Sequence, residues 1–317
     1  MIILSVSCVR APSQRERIRP PRYRMAAASR APMISTLILT RNEEADLPGC
    51  LESVAWCDDV YVFDSCSTDR TAEIARTHGA NFTQREFDGY ASQRNAALDT
   101  LPFRHEWIFI LDADERCTPE LAREMPQAIA AAAPDVNGFR LRRRDFLNGT
   151  WLKHAQISPY YIRLVRRGKA RYTREVNEVL EVEGRVAELR SPLDHFPFSK
   201  GMAHWKRKHD VYSTMEARVI AEGTSRGYAS WKTALTAKDF HARRVAQKAL
   251  FYRMPARPLI KWLYMMFVRG AILDGRAGIQ YANLQTRYEY WIVLKTRELA
   301  NPTLSRGEST RKDGAPD

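Results

Sequence analysis

The sequence contains few cysteines, and their arrangement argues against two classes of small protein. Its five cysteines are scattered and include no C-x-x-C pair. This arrangement indicates neither a zinc-binding module nor a disulfide framework, and reduced thiols are the expectation. The seven histidines form no cluster either, because His204 and His209 lie five positions apart and do not share a helical face.

Long hydrophobic runs and two common nucleotide-binding motifs are absent as well. No stretch of about 18 uncharged apolar residues occurs, so no membrane-spanning helix is expected. Neither G-x-G-x-x-G nor G-x-x-x-x-G-K-[ST] is present, which argues against a dinucleotide site and against a P-loop. At the amino terminus the apolar stretch precedes the charges, which is the reverse of a secretory signal.

The composition is that of a folded protein with a large positive charge. The chain has 317 residues, of which 44% are hydrophobic and 10% aromatic, enough for one large domain or two smaller ones. Its formal charge of +13 suggests an anionic partner: nucleic acid, a phosphorylated small molecule or an acidic membrane face. Part of this charge lies between residues 10 and 30, which hold seven arginines and one glutamate. We expect residues 1–32 to be a disordered basic leader, with Met25 or Met33 as alternative starts.

Strand and helix patterns alternate after Met33. The segments "MISTLILT", "DVYVFDS", "NFTQRE" and "EWIFILDAD" have the apolar, β-branched character of strands, and helical patterns lie between them. A strand recurs about every 25–30 residues, which is typical of βαβ units on a parallel sheet. Ligands bind such sheets beyond the carboxyl ends of the strands.

Polar residues are concentrated at these predicted strand ends. They occupy positions 40–43, 64–69 and 112–115. In "FILDADERCTPEL" three acids follow a buried strand, either as the start of the next helix or as ligands of a metal ion. Because all three clusters are expected at one edge of the sheet, the second interpretation is favoured.

Four segments together resemble the family 2 glycosyltransferases of the GT-A fold: "TLILTRNEEADLPGCLESV", "VFDSCSTDRTAEIA", "GYASQRNAAL" and "FILDADE". The similarity is greatest to bacterial enzymes that add sugars to lipopolysaccharide core or surface polysaccharide, and it covers roughly residues 33–297. It implies an α/β sheet with helices on both faces over residues 33–200. A mainly helical carboxyl-terminal region is expected over 201–300, with a disordered tail over 301–317.

The resemblance also implies the roles of individual residues. Asp64 would meet the base, and Arg94 would lie near the nucleotide or diphosphate. Asp112 and Asp114 match the D-x-D motif that binds Mg²⁺ or Mn²⁺, with Asp114 as the expected direct ligand. The positions implied for the donor are Thr40, Asn42, Glu43, Asp64, Arg94 and Asp112.

The chain departs from the family pattern at two places. Ser65 and Cys66 follow Asp64 where a second acid and a glycine are usual; cysteine allows the backbone less freedom than glycine, and we assign Ser65 no binding role. Asn177 precedes Glu178 where related enzymes often carry histidine before glutamate. The glutamate is kept.

Inversion at the anomeric carbon requires a base on the face opposite the leaving group. Glu178 is the candidate for this base, and Asp145 is a weaker alternative. His195 lies in a segment that the resemblance includes. It would either bind the diphosphate or acceptor, or be a buried structural histidine.

These observations predict an inverting, metal-dependent glycosyltransferase. It would move a sugar from a nucleotide-diphosphate donor to a hydroxyl of a cell-envelope glycan or a lipid-linked acceptor. The alternatives are a nucleotidyltransferase that makes a nucleotide sugar and, third, a basic nucleic-acid-binding protein. We expect a cytoplasmic location, at the inner face of the membrane if the apolar segment 257–273 is an interfacial helix and not a buried one.

Overall fold

Strands and helices alternate in the amino-terminal half, as the hydrophobic pattern predicts. The structure, a computed structural model, describes residues 34–173, 178–222, 230–236 and 240–301. The predicted basic leader and residues 302–317 of the predicted tail lie outside these ranges. The first elements are β1 (Ile34–Thr40), α1 (Leu47–Ser53), β2 (Val60–Asp64), α2 (Thr71–Thr77), β3 (Asn81–Gln84), α3 (Tyr90–Thr100) and β4 (Trp107–Asp112).

Strands dominate the next part of the chain. A helix begins at Pro119, and the Thr118 side chain caps it by accepting a hydrogen bond from the amide of Leu121 at 3.2 Å. The elements are β5 (Glu115–Cys117), α4 (Pro119–Ala130), β6 (Val136–Leu147), β7 (Thr150–Trp151), β8 (Tyr160–Arg166), β9 (Ala170–Thr173), β10 (Val179–Val182), β11 (Arg185–Glu188) and β12 (Leu193–His195).

The main sheet runs β3-β2-β1-β4-β8-β6-β12-β5. The strands β3, β2, β1 and β4 are parallel, whereas β8 is antiparallel to both β4 and β6. In the parallel register Thr40 pairs with Asp64, and Leu39 pairs with Asp112. The carboxyl ends of β1, β2 and β4 therefore bring the predicted polar clusters to one edge.

Apolar side chains cover both faces of the sheet. On one face, β1 and β4 pack against α1, α2 and α4, with Ile38 and Leu47 fully buried. On the other face they pack against α3, with Leu37 and Ile110 fully buried. The predicted fold class, an α/β sheet with helices on both faces, is confirmed.

The described carboxyl-terminal elements are mainly helical, as predicted. Two long helices, α5 (Gly201–Ala221) and α9 (Gly275–Ala300), pack along each other, with 6.4 Å between the ring centres of Trp205 and Trp291. A third apolar cluster joins α9 to the β6–β7 hairpin. The elements are α5 (Gly201–Ala221), α6 (Trp231–Thr236), α7 (Phe240–Phe251), α8 (Arg257–Leu263), a π-helical turn (Tyr264–Val268), a 3-10 helix (Ala271–Asp274) and α9 (Gly275–Ala300).

The apolar segment 257–273 is not one continuous helix. It breaks after the π-helical turn, where Gly270 adopts a left-handed φ of 71°. Met265 and Met266 are buried, but Phe267 and Val268 beside them are exposed. Within the described ranges, no helix combines the length and the apolar character that crossing a bilayer requires.

Candidate active site

An open cleft lies at the carboxyl ends of β1, β2 and β4. Its volume is about 620 Å³, including space that opens to solvent. Three of the predicted donor-binding residues line it, as do two aromatic side chains that the sequence analysis did not identify. The lining residues are Leu39, Thr40, Arg41, Ser65, Phe87, Tyr90, Gln93, Arg94 and Asp112.

Asp64 lies fully buried beneath this cleft. Its carboxylate accepts hydrogen bonds from the Thr40 hydroxyl at 2.7 Å and from the Gln84 amide at 3.0 Å. The backbone amide and the hydroxyl of Ser67 donate two more, at 2.7 and 2.5 Å. In this conformation Asp64 holds the loops around the cleft, and its predicted contact with a base stays a prediction.

Asn42 joins the loop after β1 to the loop after β2. Its side-chain oxygen accepts a hydrogen bond from the backbone amide of Thr68 at 2.8 Å, and the backbone amide of Asn42 donates to the Ser67 hydroxyl at 2.7 Å. Both loops use left-handed backbone, with φ of 54° at Asn42 and 53° at Cys66. Cys66 thus adopts a conformation that favours glycine, although it has less freedom to do so.

Glu43 is partly buried and paired with a residue from the other half of the chain. Its carboxylate lies 2.5 Å from the ammonium group of Lys200, directly before α5. Burial raises the pKa of Glu43 to about 7, and the nearby Lys200 only partly offsets this effect. The carboxyl-terminal region therefore contributes a charged contact at the edge of the site.

Two arginines hold Asp112 at the end of β4. Arg94 donates to one carboxylate oxygen at 2.9 Å, and Arg163 donates to the other at 2.8 Å. Burial favours the neutral acid, but the two positive charges outweigh it and hold the pKa of Asp112 well below its ordinary value. Arg163 also binds the fully buried Glu115 at 2.6 Å, so one guanidinium joins two carboxylates.

Asp114 faces His195 across the end of β12. The distance from Nε2 of His195 to the Asp114 carboxylate is 3.3 Å, and Nδ1 lies 2.5 Å from the Asp145 carboxylate. Burial alone would lower the pKa of His195, but the Asp114 charge and the bonds to Asp114 and Asp145 raise it to about 9. Burial likewise opposes ionisation of Asp114, yet His195 lowers its pKa overall.

Glu178 reaches the site through Arg94. One carboxylate oxygen of Glu178 lies 3.3 Å from Nε of Arg94. Asp145 is more enclosed, since it is buried and already bonded to His195. Of the two predicted bases, Glu178 is thus the more accessible. Asn177 lies outside the described residues.

Comparisons with known proteins identify the family. The Glycosyl transferase family 2 profile matches residues 35–185. The lipopolysaccharide core biosynthesis glycosyltransferase LpsC of Rhizobium meliloti is 34% identical over 272 residues, which cover 83% of this chain and 91% of that protein. The chain belongs to glycosyl transferase family 2. As a member of this family it is a glycosyltransferase, with a relative named for lipopolysaccharide biosynthesis.

Other matches are shorter or weaker. The uncharacterized glycosyltransferase RT0209 of Rickettsia typhi is 37% identical over 103 residues, 32% of this chain and 35% of that one. S. aureus TarS 1–349 has a TM-score of 0.38 and 15% identity, covering 81% of this chain and 90% of that chain. Glucosyl-3-phosphoglycerate synthase from Mycobacterium tuberculosis has a TM-score of 0.31 and 21% identity, covering 35% and 44%.

The candidate site contains residues that sequence reasoning did not find. Arg163, on β8, is one of them. It is buried because β8 is covered on both faces, with Leu164 packed on one side and Val165 on the other. An arginine flanked by apolar residues, here Ile162 and Leu164, is itself a signal, since a charge that becomes buried requires a carboxylate partner.

Proposed function

We propose that this glycosyltransferase moves a sugar from a nucleoside diphosphate to a hydroxyl of a cell-envelope glycan or a lipid-linked acceptor, with inversion. One observation carries the proposal: carboxylates and guanidinium groups from separate parts of the chain meet at one open cleft. Arg94 and Asp112 line this cleft, and Arg94 also contacts Glu178. The name of the R. meliloti relative supports the acceptor class.

The lining of the cleft suits a nucleoside diphosphate. Arg41 and Arg94 supply positive charge for the diphosphate, and the guanidinium of Arg41 lies 5.3 Å from the ring centre of Phe87. The ring centres of Phe87 and Tyr90 lie 5.0 Å apart, and the two rings offer aromatic surface to a base. Thr40 occupies the floor, where its hydroxyl is fixed by Asp64.

Asp114 fits a divalent cation through its open side, whereas His195 positions Asp114 and has no free ring nitrogen for a metal, because both nitrogens contact carboxylates. Asp114 keeps 32% of its side chain exposed, whereas both carboxylate oxygens of Asp112 are bound by arginines. Among the residues that the structure describes, no three His, Cys, Asp or Glu side chains form a metal cage. Mg²⁺ is commonly held by one or two carboxylates together with substrate phosphates, so a partial ligand set suits it. When bound, Mg²⁺ or Mn²⁺ would stabilise the charge on the departing diphosphate.

Glu178 is the proposed base. It would accept the proton of the acceptor hydroxyl as that oxygen attacks the anomeric carbon from the face opposite the diphosphate. Its contact with Arg94 ties its position to the residue that also holds Asp112. Arg94 thus links the proposed base to the carboxylate at the end of β4.

A thermal-shift panel tests the proposal. The full chain is mixed with Mn²⁺ and each of several nucleotide sugars, and the donor is the one that raises the melting temperature. Sugar transfer by that donor, its loss in excess chelator and an inverted anomeric product are the expected results. Release of pyrophosphate from a nucleoside triphosphate and a sugar phosphate would favour the nucleotidyltransferase. Salt-sensitive retention of DNA or RNA would instead favour the nucleic-acid binder.

A further inference from the structure

An exposed apolar surface lies far along the chain from the carboxylates of the site. We define the apolar patch as Leu259, Leu263, Phe267, Val268, Ile272 and Leu273. All six side chains are exposed, with Val268 at 74% and Leu273 at 71%. Soluble monomers rarely leave so many large apolar side chains together at the surface without a binding role.

The patch belongs to a rigidly held segment. Met265, Met266 and Ala271 are buried against Leu147 and Leu152 of the β6–β7 hairpin. Burial of these neighbours fixes which side chains of the segment point outward. The patch is therefore a built feature of the surface.

Polar contacts attach the same segment to the hairpin. Asp274 accepts hydrogen bonds from the amide of Ala155 at 2.7 Å and from the His154 ring at 2.6 Å. Arg269 donates to the carbonyl oxygen of His154 at 3.0 Å. Because β6 also carries Asp145, the patch is tied to a strand that supports the candidate site.

Positive charge surrounds the patch. Between residues 257 and 276 the chain has four basic residues and one acid, Asp274. Arg257 is paired with Glu289 at 3.4 Å, and Asp274 is buried by its bonds to the hairpin. Lys261 is half-buried near Glu289, whereas Arg269 is half-buried and Arg276 is exposed, so Arg269 and Arg276 supply the positive charge of the rim.

We propose that the apolar patch binds the surface of an anionic lipid bilayer, with its apolar side chains inserted among the lipids and its basic rim on the headgroups. Charge selects this occupant over a second copy of the chain, because a symmetric dimer would bring two basic rims together. The inference adds a membrane partner to the proposed function. It rests on the proposed function only for the purpose of membrane binding, which would be access to a membrane-borne acceptor.

Vesicle co-sedimentation of the full chain, without donor or acceptor, tests the inference. Vesicles of phosphatidylcholine with phosphatidylglycerol should bind the protein, and added NaCl should weaken binding. Pure phosphatidylcholine should bind it less. The double variant Val268→Glu and Leu273→Glu should lose at least about ten-fold in partitioning. Arg276→Ala should lose about five-fold on the anionic vesicles alone.

Leu235→Glu is the matched control, since Leu235 on α6 is also 74% exposed but lies outside the patch. This variant should bind vesicles like wild type. If the double variant does not fold, vesicle-induced protection of amides 259–276 from hydrogen exchange in wild type replaces it. Equal binding by the double variant, absence of vesicle binding, or a dimer that the double variant dissociates would overturn the inference. The melting shift caused by the donor is measured without vesicles, and vesicle binding is measured without donor. Failure of the membrane inference can therefore be told apart from failure of the proposed function.

Discussion

His195 and Asp114 form a hydrogen-bonded ion pair beside the cleft, with 3.3 Å between Nε2 and the carboxylate. Asp145 holds the other ring nitrogen at 2.5 Å and thereby fixes the orientation of the imidazole. Among the described residues the Asp114 carboxylate therefore has one side-chain partner and an open side. A carboxylate needs such an open side to bind a cation that also contacts the substrate.

Replacing Asp114 by Asn should lower sugar transfer at least about 100-fold, because a ligand of the charge-stabilising cation is lost. The fold should survive, since the side chain lies at the rim of the site and the substitution keeps its size. Transfer rate in Mn²⁺ and melting temperature are the two measurements. Asp135→Asn, at a surface ion pair with Arg185, is the control and should behave as wild type. Normal turnover by Asp114→Asn, or full wild-type activity in excess chelator, would contradict this assignment.

Glu178→Gln should lower turnover by about 10²–10⁴-fold, the usual contribution of a general base. The amide cannot take the proton of the acceptor hydroxyl, but donor binding should persist. The melting shift caused by the nucleotide sugar should therefore stay close to the wild-type value while transfer is lost. Glu181→Gln, on β10 three residues further along, is the control. A variant that loses the donor-induced shift as well would indicate a role in donor binding instead.

Arg163 should matter for stability as well as for the site. It is buried and neutralises both Asp112 and Glu115, so Arg163→Met leaves two carboxylates short of a partner. The expected loss is about 3 kcal/mol or more in the free energy of unfolding, measured with urea. Arg123→Met removes an exposed ion pair with Glu120 and should cost about 1 kcal/mol or less. Similar losses for the two variants would contradict the role given to Arg163.

The sequence could predict the sheet and its functional edge because both depend on local patterns. A buried strand that ends in Asp112 places that acid at the carboxyl edge of the sheet, and this placement does not depend on contacts with distant parts of the chain. The same reasoning located Thr40 and Asp64, which pair directly in the parallel register. Periodicity could not show that Asp64 is enclosed by four hydrogen bonds, because these depend on how two loops meet.

Contacts between distant segments could not be predicted from the sequence for the same reason. His195 reaches Asp145 because β12 pairs with β6 in one register, and a shift by one residue would turn the imidazole to the other face. Lys200 reaches Glu43 across 157 positions of chain. Neither contact produces a local sequence pattern from which it could be predicted, although each residue has the polarity that its position requires.

Glu43 gives the structure a specific dependence on pH. Burial raises its pKa from 4.5 to about 7, so the folded protein holds a proton that the unfolded chain releases above pH 4.5. Stability from this proton is fully present below pH 4.5 and is lost as the pH rises through about 7. The size of the effect is about 3 kcal/mol, since each pKa unit corresponds to about 1.4 kcal/mol.

Glu43→Gln should remove this dependence, because the amide is neutral at every pH. Compared with this variant, wild type should lose free energy of unfolding between pH 4.5 and 7, with little further change above. Urea titrations of both proteins at several pH values measure the difference. Glu44→Gln changes the neighbouring, more exposed acid, which pairs with Arg70 at 3.2 Å, and should follow the wild-type curve. A constant difference between wild type and Glu43→Gln across this range would show that Lys200 keeps Glu43 ionised throughout, and the buried proton would then have no role.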